Sequence, residues 1–374
     1  MFLLKRKNYA AWTAAFLAVA ILSFYAGRYS LFKTSKLLAV TNTIRKHYAL
    51  EYDEKDAEDK AAYAYVESLG DPYSVYFSKG DFDMFTDEIN YNYRGIGVVI
   101  DFSSDDAVID LVAEDSPAKE AGLAVGDVLL SVDGRALTHE NYSDVTSYIR
   151  GYAKDSVPDD TAMKFEIRRG GETLYFDIKR ESVHYEPVDY TVTDDGILYL
   201  SLAVFSSESA ADLHDVISQV EGNISGVILD LRDNNGGDVR ALLSIAGEFM
   251  PEGLLFSSVD ANGKNKEYKI RDNDYIAVPM AVLVNENSAS ASEILSSAIK
   301  ESGRGVLIGT QTFGKGLVQS IMRFDDGSAL KYTEAEYYTY GGTDINGVGV
   351  EPDIYIEDAD EQYNEAFNYL RDKI

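Results

Sequence analysis

The chain has 374 residues, enough for two or three domains of ordinary size. It contains no cysteine, which excludes disulfides and thiolate metal sites, and its four histidines show no metal-ligand spacing, so neither a metal nor a cofactor is expected. The formal net charge of −29 argues against nucleic acid as a partner, because its phosphates would be repelled.

An apolar N-terminal stretch, residues 9–27, follows the basic cluster Lys5-Arg-Lys7 and carries no charged residue. A transmembrane helix needs about 20 such residues, so this stretch is long enough to span a bilayer. Ala18-Val-Ala20 resembles a signal-peptide cleavage site, but the apolar run continues beyond it. We therefore expect an uncleaved membrane anchor in residues 1–30. Basic residues on both sides leave its orientation open by charge alone.

A mainly helical pattern follows in residues 31–92 and is broken by Gly70-Asp-Pro72. Residues 93–182 then predict a separate, mostly β module, in which a glycine loop runs into a strand and a hairpin forms over residues 162–180. The order of these elements resembles a PDZ domain. The resemblance implies that the loop's amides bind a free C-terminal carboxylate and that the next strand pairs with the peptide. The loop residues are Gly95, Ile96, Gly97 and Val98. A β module without a ligand is the alternative.

Residues 183–374 alternate between strand and helix patterns, which predicts an α/β core. The predicted strands are 197–202, 226–232, 280–285 and 305–309, and the predicted helices are 208–220, 239–249 and 292–302. The fold class is therefore an α/β core plus an all-β module, preceded by a helical segment and a transmembrane helix.

Two motifs in this core supply a nucleophile and a base. Asn287-Ser-Ala-Ser-Ala-Ser-Glu293 lies at a strand-to-helix turn, and Phe313-Gly-Lys-Gly-Leu-Val-Gln319 places Lys315 between glycines. A lysine acts as a base only when neutral, and burial against Phe313 and Leu317 would lower its pKa. The carbonyl of Gln319 could hold the amine. If the two motifs meet, they predict a serine hydrolase that uses lysine in place of histidine.

Other interpretations of these motifs remain open. Ser290 and Glu293 match a capping box, which would make Ser290 a helix N-cap. Gly309-Thr-Gln-Thr-Phe-Gly-Lys315 fits a phosphate-binding loop, but Gly316 stands where Ser or Thr should bind magnesium. Upstream, Gly236 and Gly237 in Asp233-Asn-Asn-Gly-Gly237 could turn backbone amides toward an oxyanion, although a plain glycine turn would look the same.

Three motifs together resemble the signatures of the carboxyl-terminal processing proteases. They are Asp230-Leu-Arg-Asp-Asn-Asn-Gly-Gly237, Asn287-Ser-Ala-Ser-Ala-Ser-Glu-Ile294 and Thr312-Phe-Gly-Lys-Gly-Leu-Val-Gln319. The resemblance implies Ser290 as nucleophile, Lys315 as base and Gln319 as the third member of a triad. It further implies an oxyanion hole at the amide of Ala291 and of a glycine of the turn. The family usually has a proline where this chain has Asn235, which loosens the turn but keeps both glycines.

The same resemblance implies an endopeptidase that cleaves proteins near their C-termini, after the PDZ domain has captured the free C-terminus. It also implies a single-pass membrane protein whose catalytic part, residues 183–374, lies outside the cytoplasm. Residues 31–92 would form either a spacer or a homodimer contact. The alternative from another functional class is a catalytically inactive, membrane-anchored PDZ scaffold.

Overall fold

The computed structural model describes residues 35–89, 92–102, 106–153, 155–184, 186–271 and 275–374. Across these residues no helix combines the length and apolarity needed to cross a bilayer, and the predicted span at residues 9–27 lies outside the described residues. The chain divides into two compact units, Met1–Ala61 and Ala62–Ile374.

The helices begin with two in the N-terminal segment and continue through the β module into the core. They are α1 (Lys36–His47), α2 (Glu54–Glu67), α3 (Lys79–Ile89), α4 (Pro117–Ala121), α5 (Tyr142–Arg150), α6 (Ser207–Val220), α7 (Val239–Phe249), α8 (Ala291–Glu301) and α9 (Ala359–Arg371). In the first unit, the side chain of Ser35 caps α1, and Arg45 pairs with Glu54 and Glu58. These contacts give the short helices the local support that they would lack in isolation.

The described strands form four sheets: two large sheets in the core, one in the β module, and a two-stranded sheet at the module's two ends in the sequence. They are β1 (Val75–Phe77), β2 (Asn92–Gly95), β3 (Val98–Asp101), β4 (Val108–Val112), β5 (Val128–Val132), β6 (Arg135–Ala136), β7 (Met163–Arg169), β8 (Glu172–Ile178), β9 (Glu181–His184), β10 (Val188–Val192), β11 (Ile197–Leu202), β12 (Gly226–Asp230), β13 (Gly253–Asp260), β14 (Asn265–Ile270), β15 (Met280–Val284), β16 (Val306–Gly309), β17 (Leu317–Arg323), β18 (Ala329–Tyr338) and β19 (Ile354–Tyr355).

The β module is an antiparallel sheet in the order β3-β4-β5-β7-β8, with α4 and α5 packed on its apolar face. Ile109, Leu129 and Phe165 form the centre of its core. The predicted hairpin is confirmed as β7 and β8. β3 lies at the edge of the sheet, next to the glycine loop.

The α/β core is built on a six-stranded sheet in the order β10-β11-β12-β15-β16-β19, parallel except for the β10–β11 pair. Successive strand residues face opposite sides. Leu198 and Leu200 pack toward α6, α7 and α8, whereas Ile197 and Ile228 pack toward α9. Both faces are buried, which explains why these strands are almost wholly apolar and why the predicted α/β alternation is confirmed.

A second core sheet, in the order β1-β18-β13-β14 with β17 also paired to β18, was not predicted as a unit. Its strand β1 comes from the segment that the sequence predicts as mainly helical. The following helix, α3, contacts the β module, because Tyr152 donates a hydrogen bond to Asp87 and Arg150 pairs with Glu88. One short segment thus links the core sheet to the β module.

Candidate active site

Ser290 occupies the sharp turn between β15 and α8. Its φ of 55° lies in the left-handed region, which costs a residue with a side chain about 1–3 kcal/mol and is typical of exposed nucleophiles at strand-to-helix turns. The flanking serines are already bonded: Ser288 Oγ donates to Leu231 O at 2.7 Å and Ser292 Oγ to Asn234 O at 2.8 Å. Among the described residues, only the half-buried Ser290 of these three lacks such a bond.

Glu293, in the first turn of α8, connects this serine turn to the lysine loop. Its carboxylate is fully buried and accepts four hydrogen bonds. Oε2 receives the amides of Ser290 and Lys315, both at 2.9 Å. Oε1 receives Thr312 Oγ1 at 2.6 Å and the amide of Gly314 at 2.7 Å. The capping-box interpretation captured only the bond to Ser290 and missed the three to the lysine loop.

The amine of Lys315 lies in a half-buried position. Burial, reinforced by the positive charge of Lys331, holds its pKa below the ordinary lysine value, although the carboxylates of Glu293 and Asp71 oppose this effect. The aromatic ring above it belongs to Tyr73, whose centroid is 4.9 Å from Nζ.

Phe313, which the sequence predicts to bury this lysine, is itself 53% exposed. Tyr73, from the segment before the β module, lies over the amine of Lys315 instead. No hydrogen bond joins Lys315 Nζ to Ser290 Oγ in the part of the chain that the structure describes, so the two motifs are brought together through Glu293 without direct contact between their reactive atoms.

Gln319, the predicted third member of the triad, lies on β17. Its Nε2 is buried and has no hydrogen-bond partner among the described residues. The predicted bond between its carbonyl and the amine of Lys315 is not formed. The β17–β18 pairing shifts its register between Val318 and Gln319, which displaces Gln319 from the regular alternation on which its prediction depends.

The glycine turn lies directly against the serine turn. A Cβ added to Gly236 would lie 2.9 Å from the amide nitrogen of Ala291, so only glycine allows this approach. The Gly236 amide donates to Asn234 Oδ1 at 2.8 Å, whereas the amides of Gly237 and Ala291 donate no hydrogen bond within the described residues. Of the predicted oxyanion donors, Ala291 and Gly237 therefore have free N–H groups.

Asp233, on the same turn, binds the loop that precedes Ser290. Its Oδ1 accepts hydrogen bonds from Asn287 Nδ2 at 2.8 Å and Asn285 Nδ2 at 2.9 Å, and these bonds hold the pKa of Asp233 below its ordinary value. Asn285 Oδ1 in turn accepts the Asp233 amide. The two turns are therefore fixed to each other by side chains as well as by backbone.

In the β module, the loop Gly95-Ile-Gly-Val98 joins the end of β2 to the start of β3. Gly97 has a φ of 80°, and a Cβ there would lie 2.2 Å from Ser116 Cβ, so this position requires glycine. Ile96 is buried in the module core, which fixes the loop at the end of β3.

Comparisons with known proteins agree with this architecture. A family model for peptidase family S41 matches residues 196–356, which include both motifs, and a PDZ domain model matches residues 108–158. The chain is 31% identical over 328 residues to the carboxy-terminal processing protease CtpA of Bacillus subtilis (strain 168), covering 87% of this chain and 69% of that protein. It is 30% identical to a CtpA-like serine protease of Staphylococcus aureus (strain N315), covering 86% of this chain and 64% of that one.

Among solved structures, the photosystem II D1 C-terminal processing protease is 27% identical, with a TM-score of 0.55 and coverage of 87% of this chain and 88% of that one. An S41 protease from Bacteroides fragilis NCTC 9343 shares the fold at 17% identity, with a TM-score of 0.52 and coverage of 80% and 84%.

Proposed function

This chain is a serine protease of the carboxy-terminal processing group of peptidase family S41, and we propose that it cleaves polypeptides with Ser290 as nucleophile and Lys315 as general base. The observation that supports this most directly is the buried carboxylate of Glu293, which bonds the amides of both residues. Ser290 has a strained backbone and a hydroxyl that donates no hydrogen bond within the described residues, and Lys315 has a lowered pKa. These are properties that a nucleophile and a base require.

In the proposed reaction, the neutral amine of Lys315 takes the hydroxyl proton while Ser290 Oγ attacks the scissile carbonyl. The amides of Ala291 and Gly237 donate to the oxyanion. The lysine ammonium then gives its proton to the leaving amine, and an acyl-enzyme remains. Water attacks the acyl-enzyme while the amine of Lys315 accepts a proton from it. The ammonium then returns that proton to Ser290 Oγ as the bond to the acyl group breaks and the carboxylic acid product leaves.

The amine must first approach the hydroxyl, since the two are not hydrogen-bonded in the structure. We infer that Gln319 assists in this closed arrangement, with its carbonyl oxygen accepting a hydrogen bond from the amine. Gln319 Nε2 has no hydrogen-bond partner among the described residues, so no bond at that atom holds the amide in another orientation.

Cleavage of a peptide by the purified full-length chain, followed by mass spectrometry, tests the assignment. We expect Ser290→Ala and Lys315→Ala each to lower kcat by about 10⁴-fold or more. Ser297→Ala and Lys300→Ala, on the same helix α8, are matched controls that should retain activity, because their side chains bond to the carbonyls of Ile294 and Glu351. Undiminished cleavage by Ser290→Ala would refute the proposal. A complete lack of cleavage by the wild type would favour the inactive PDZ scaffold.

We further propose that the β module presents substrates by their C-terminus. The edge strand β3 can add a peptide strand, and the amides of the Gly95–Val98 loop can receive the terminal carboxylate. Two peptide substrates that differ only in ending with a carboxylate or a carboxamide test whether the β module recognises the free C-terminus. We expect a higher KM for the carboxamide, and equal KM values would argue against capture.

The membrane anchor at residues 9–27, with the catalytic part outside the cytoplasm, and a homodimer also belong to the proposal. The exposed apolar side chains of α1, including Leu37 and Val40, support a contact between copies. Protease accessibility of intact cells tests the location, and light scattering of the detergent-solubilised chain tests the dimer. If the chain is degraded only after the cells are lysed, the proposed location outside the cytoplasm is wrong. If its mass is that of a monomer, the proposed homodimer is wrong.

A further inference from the structure

The residues just before β1 lie against the amine of Lys315. β1 joins the core sheet by pairing with β18, where Val75 is opposite Lys331. Two residues before Val75, Tyr73 places its ring centroid 4.9 Å from Lys315 Nζ. A segment that precedes the β module in the sequence therefore contributes a side chain to the surroundings of the base.

Asp71 fixes this segment to β18. Its carboxylate accepts Ser74 Oγ at 2.5 Å, Thr333 Oγ1 at 2.6 Å and the amide of Tyr73 at 2.9 Å. Ser74 Oγ also accepts the amide of Thr333 at 3.1 Å. These bonds determine where the backbone of Tyr73 lies and so hold its ring over the lysine.

We propose that Tyr73 is a positioning residue of the active site, whose ring excludes water from the amine of Lys315 and is held there by Asp71 through Ser74 and Thr333. This inference rests on the proposed role of Lys315 as the base. It assigns Asp71, Tyr73 and Ser74 to the surroundings of the base, beyond the spacer or dimer roles considered from the sequence.

The charges around the amine show why the ring matters. The carboxylates of Glu293 and Asp71 favour the ammonium form, and Lys331 favours the neutral form. An aromatic face also attracts a cation. The pKa of Lys315 is nevertheless lowered, with burial as the largest cause, so exclusion of water outweighs the attractions. Tyr73 contributes to that exclusion, and its removal should let water stabilise the ammonium.

The pH dependence of kcat/KM in the full-length chain tests this role. Activity requires the neutral amine, so kcat/KM rises with pH through the pKa of Lys315. Tyr73→Ala should move this rise to higher pH and, below it, lower kcat/KM about tenfold for each unit moved. Tyr73→Phe keeps the ring and should restore the wild-type profile. Thr333→Val removes one bond to Asp71 and should cause a smaller shift in the same direction.

Tyr76→Ala is the matched control, since Tyr76 lies on β1 and packs near Phe324, with centroids 6.3 Å apart. Tyr76→Ala should leave the rise of kcat/KM at the same pH as in the wild type. An unmoved profile in folded Tyr73→Ala overturns the inference. If Tyr73→Ala does not fold, Thr333→Val carries the test, and an unmoved profile in that variant overturns the inference. The proposed base fails separately, if Lys315→Ala retains cleavage.

Discussion

The serine turn and the lysine loop differ in how completely their polar groups are bonded. On the serine side, the flanking hydroxyls of Ser288 and Ser292 bond to backbone carbonyls, and Asp233 fixes the neighbouring glycine turn. Ser290, the proposed nucleophile, is therefore held in a strained conformation by surroundings that have little freedom to relax. Such preorganisation costs nothing further when the substrate binds.

On the lysine side, the loop itself is well bonded but, within the described residues, the amine of Lys315 is not. The amide of Lys315 is held by Glu293, but its amine and the Gln319 amide nitrogen have no hydrogen-bond partner among the described residues. The difference indicates that the protein fixes the proposed nucleophile, Ser290, in advance and leaves the side-chain contacts of the proposed base, Lys315, to be completed. Variants should therefore perturb the two sides in different ways.

Glu293→Ala should have the largest effect, because it removes the contact that the two sides share. Two buried and two part-buried donors would lose their acceptor, and each buried donor left unpaired costs about 1–3 kcal/mol, so we expect at least about 2 kcal/mol less free energy of unfolding. Chemical denaturation measures this. Glu301→Ala, on the same helix, loses the exposed bonds to Thr339 and Gly341 and is the control. Equal losses of unfolding free energy in Glu293→Ala and Glu301→Ala would show that the bonds of Glu293 do not hold the serine turn and the lysine loop together.

Gly237→Ala should act on the serine side alone. Its Cβ would lie 2.1 Å from Phe205 O, so the turn must shift and carry the Gly237 amide away from the oxyanion. Loss of one such donor should lower kcat about 100-fold. Gly253→Ala separates this effect from backbone strain, since Gly253 has a similar φ of 157° and no atom within 4 Å of an added Cβ. A comparable kcat loss in Gly253→Ala would contradict the interpretation.

The serine side was also the more predictable one from the sequence. Its turns follow from local patterns: the helix predicted over residues 239–249 is Val239–Phe249, and the helix predicted over residues 292–302 is Ala291–Glu301. The patterns that predict apolar strands, glycine turns and helix caps involve residues that are close together in the sequence. Such signals are sufficient to place Ser290 beside the glycine turn.

The environment of the base depends on distant segments and was predicted less well. Tyr73 reaches Lys315 only because β1 pairs with β18, and a three-residue strand after a helical pattern gives no such signal. Phe313 was predicted to cover the lysine from its adjacency in sequence, yet it points largely to solvent. One residue did indicate that a distant segment packs against this helix. Glu293 is a carboxylate within the apolar pattern of a buried helix, and a buried carboxylate needs hydrogen-bond donors from other parts of the chain.

Gln319→Leu should have the smallest effect on stability, and in the opposite direction. It replaces a buried amide that lacks a partner, so the free energy of unfolding should rise by up to about 1 kcal/mol. Gln362→Leu is the matched control, because Gln362 Nε2 donates to Ile356 O and its Oε1 accepts from Arg232, and loss of these bonds should be destabilising. If Gln319 completes the base during turnover, the stabilised variant should also be slower. Unchanged kcat would remove Gln319 from the mechanism, and lower stability would mean that its amide is bonded in solution and that the lysine side is as complete as the serine side.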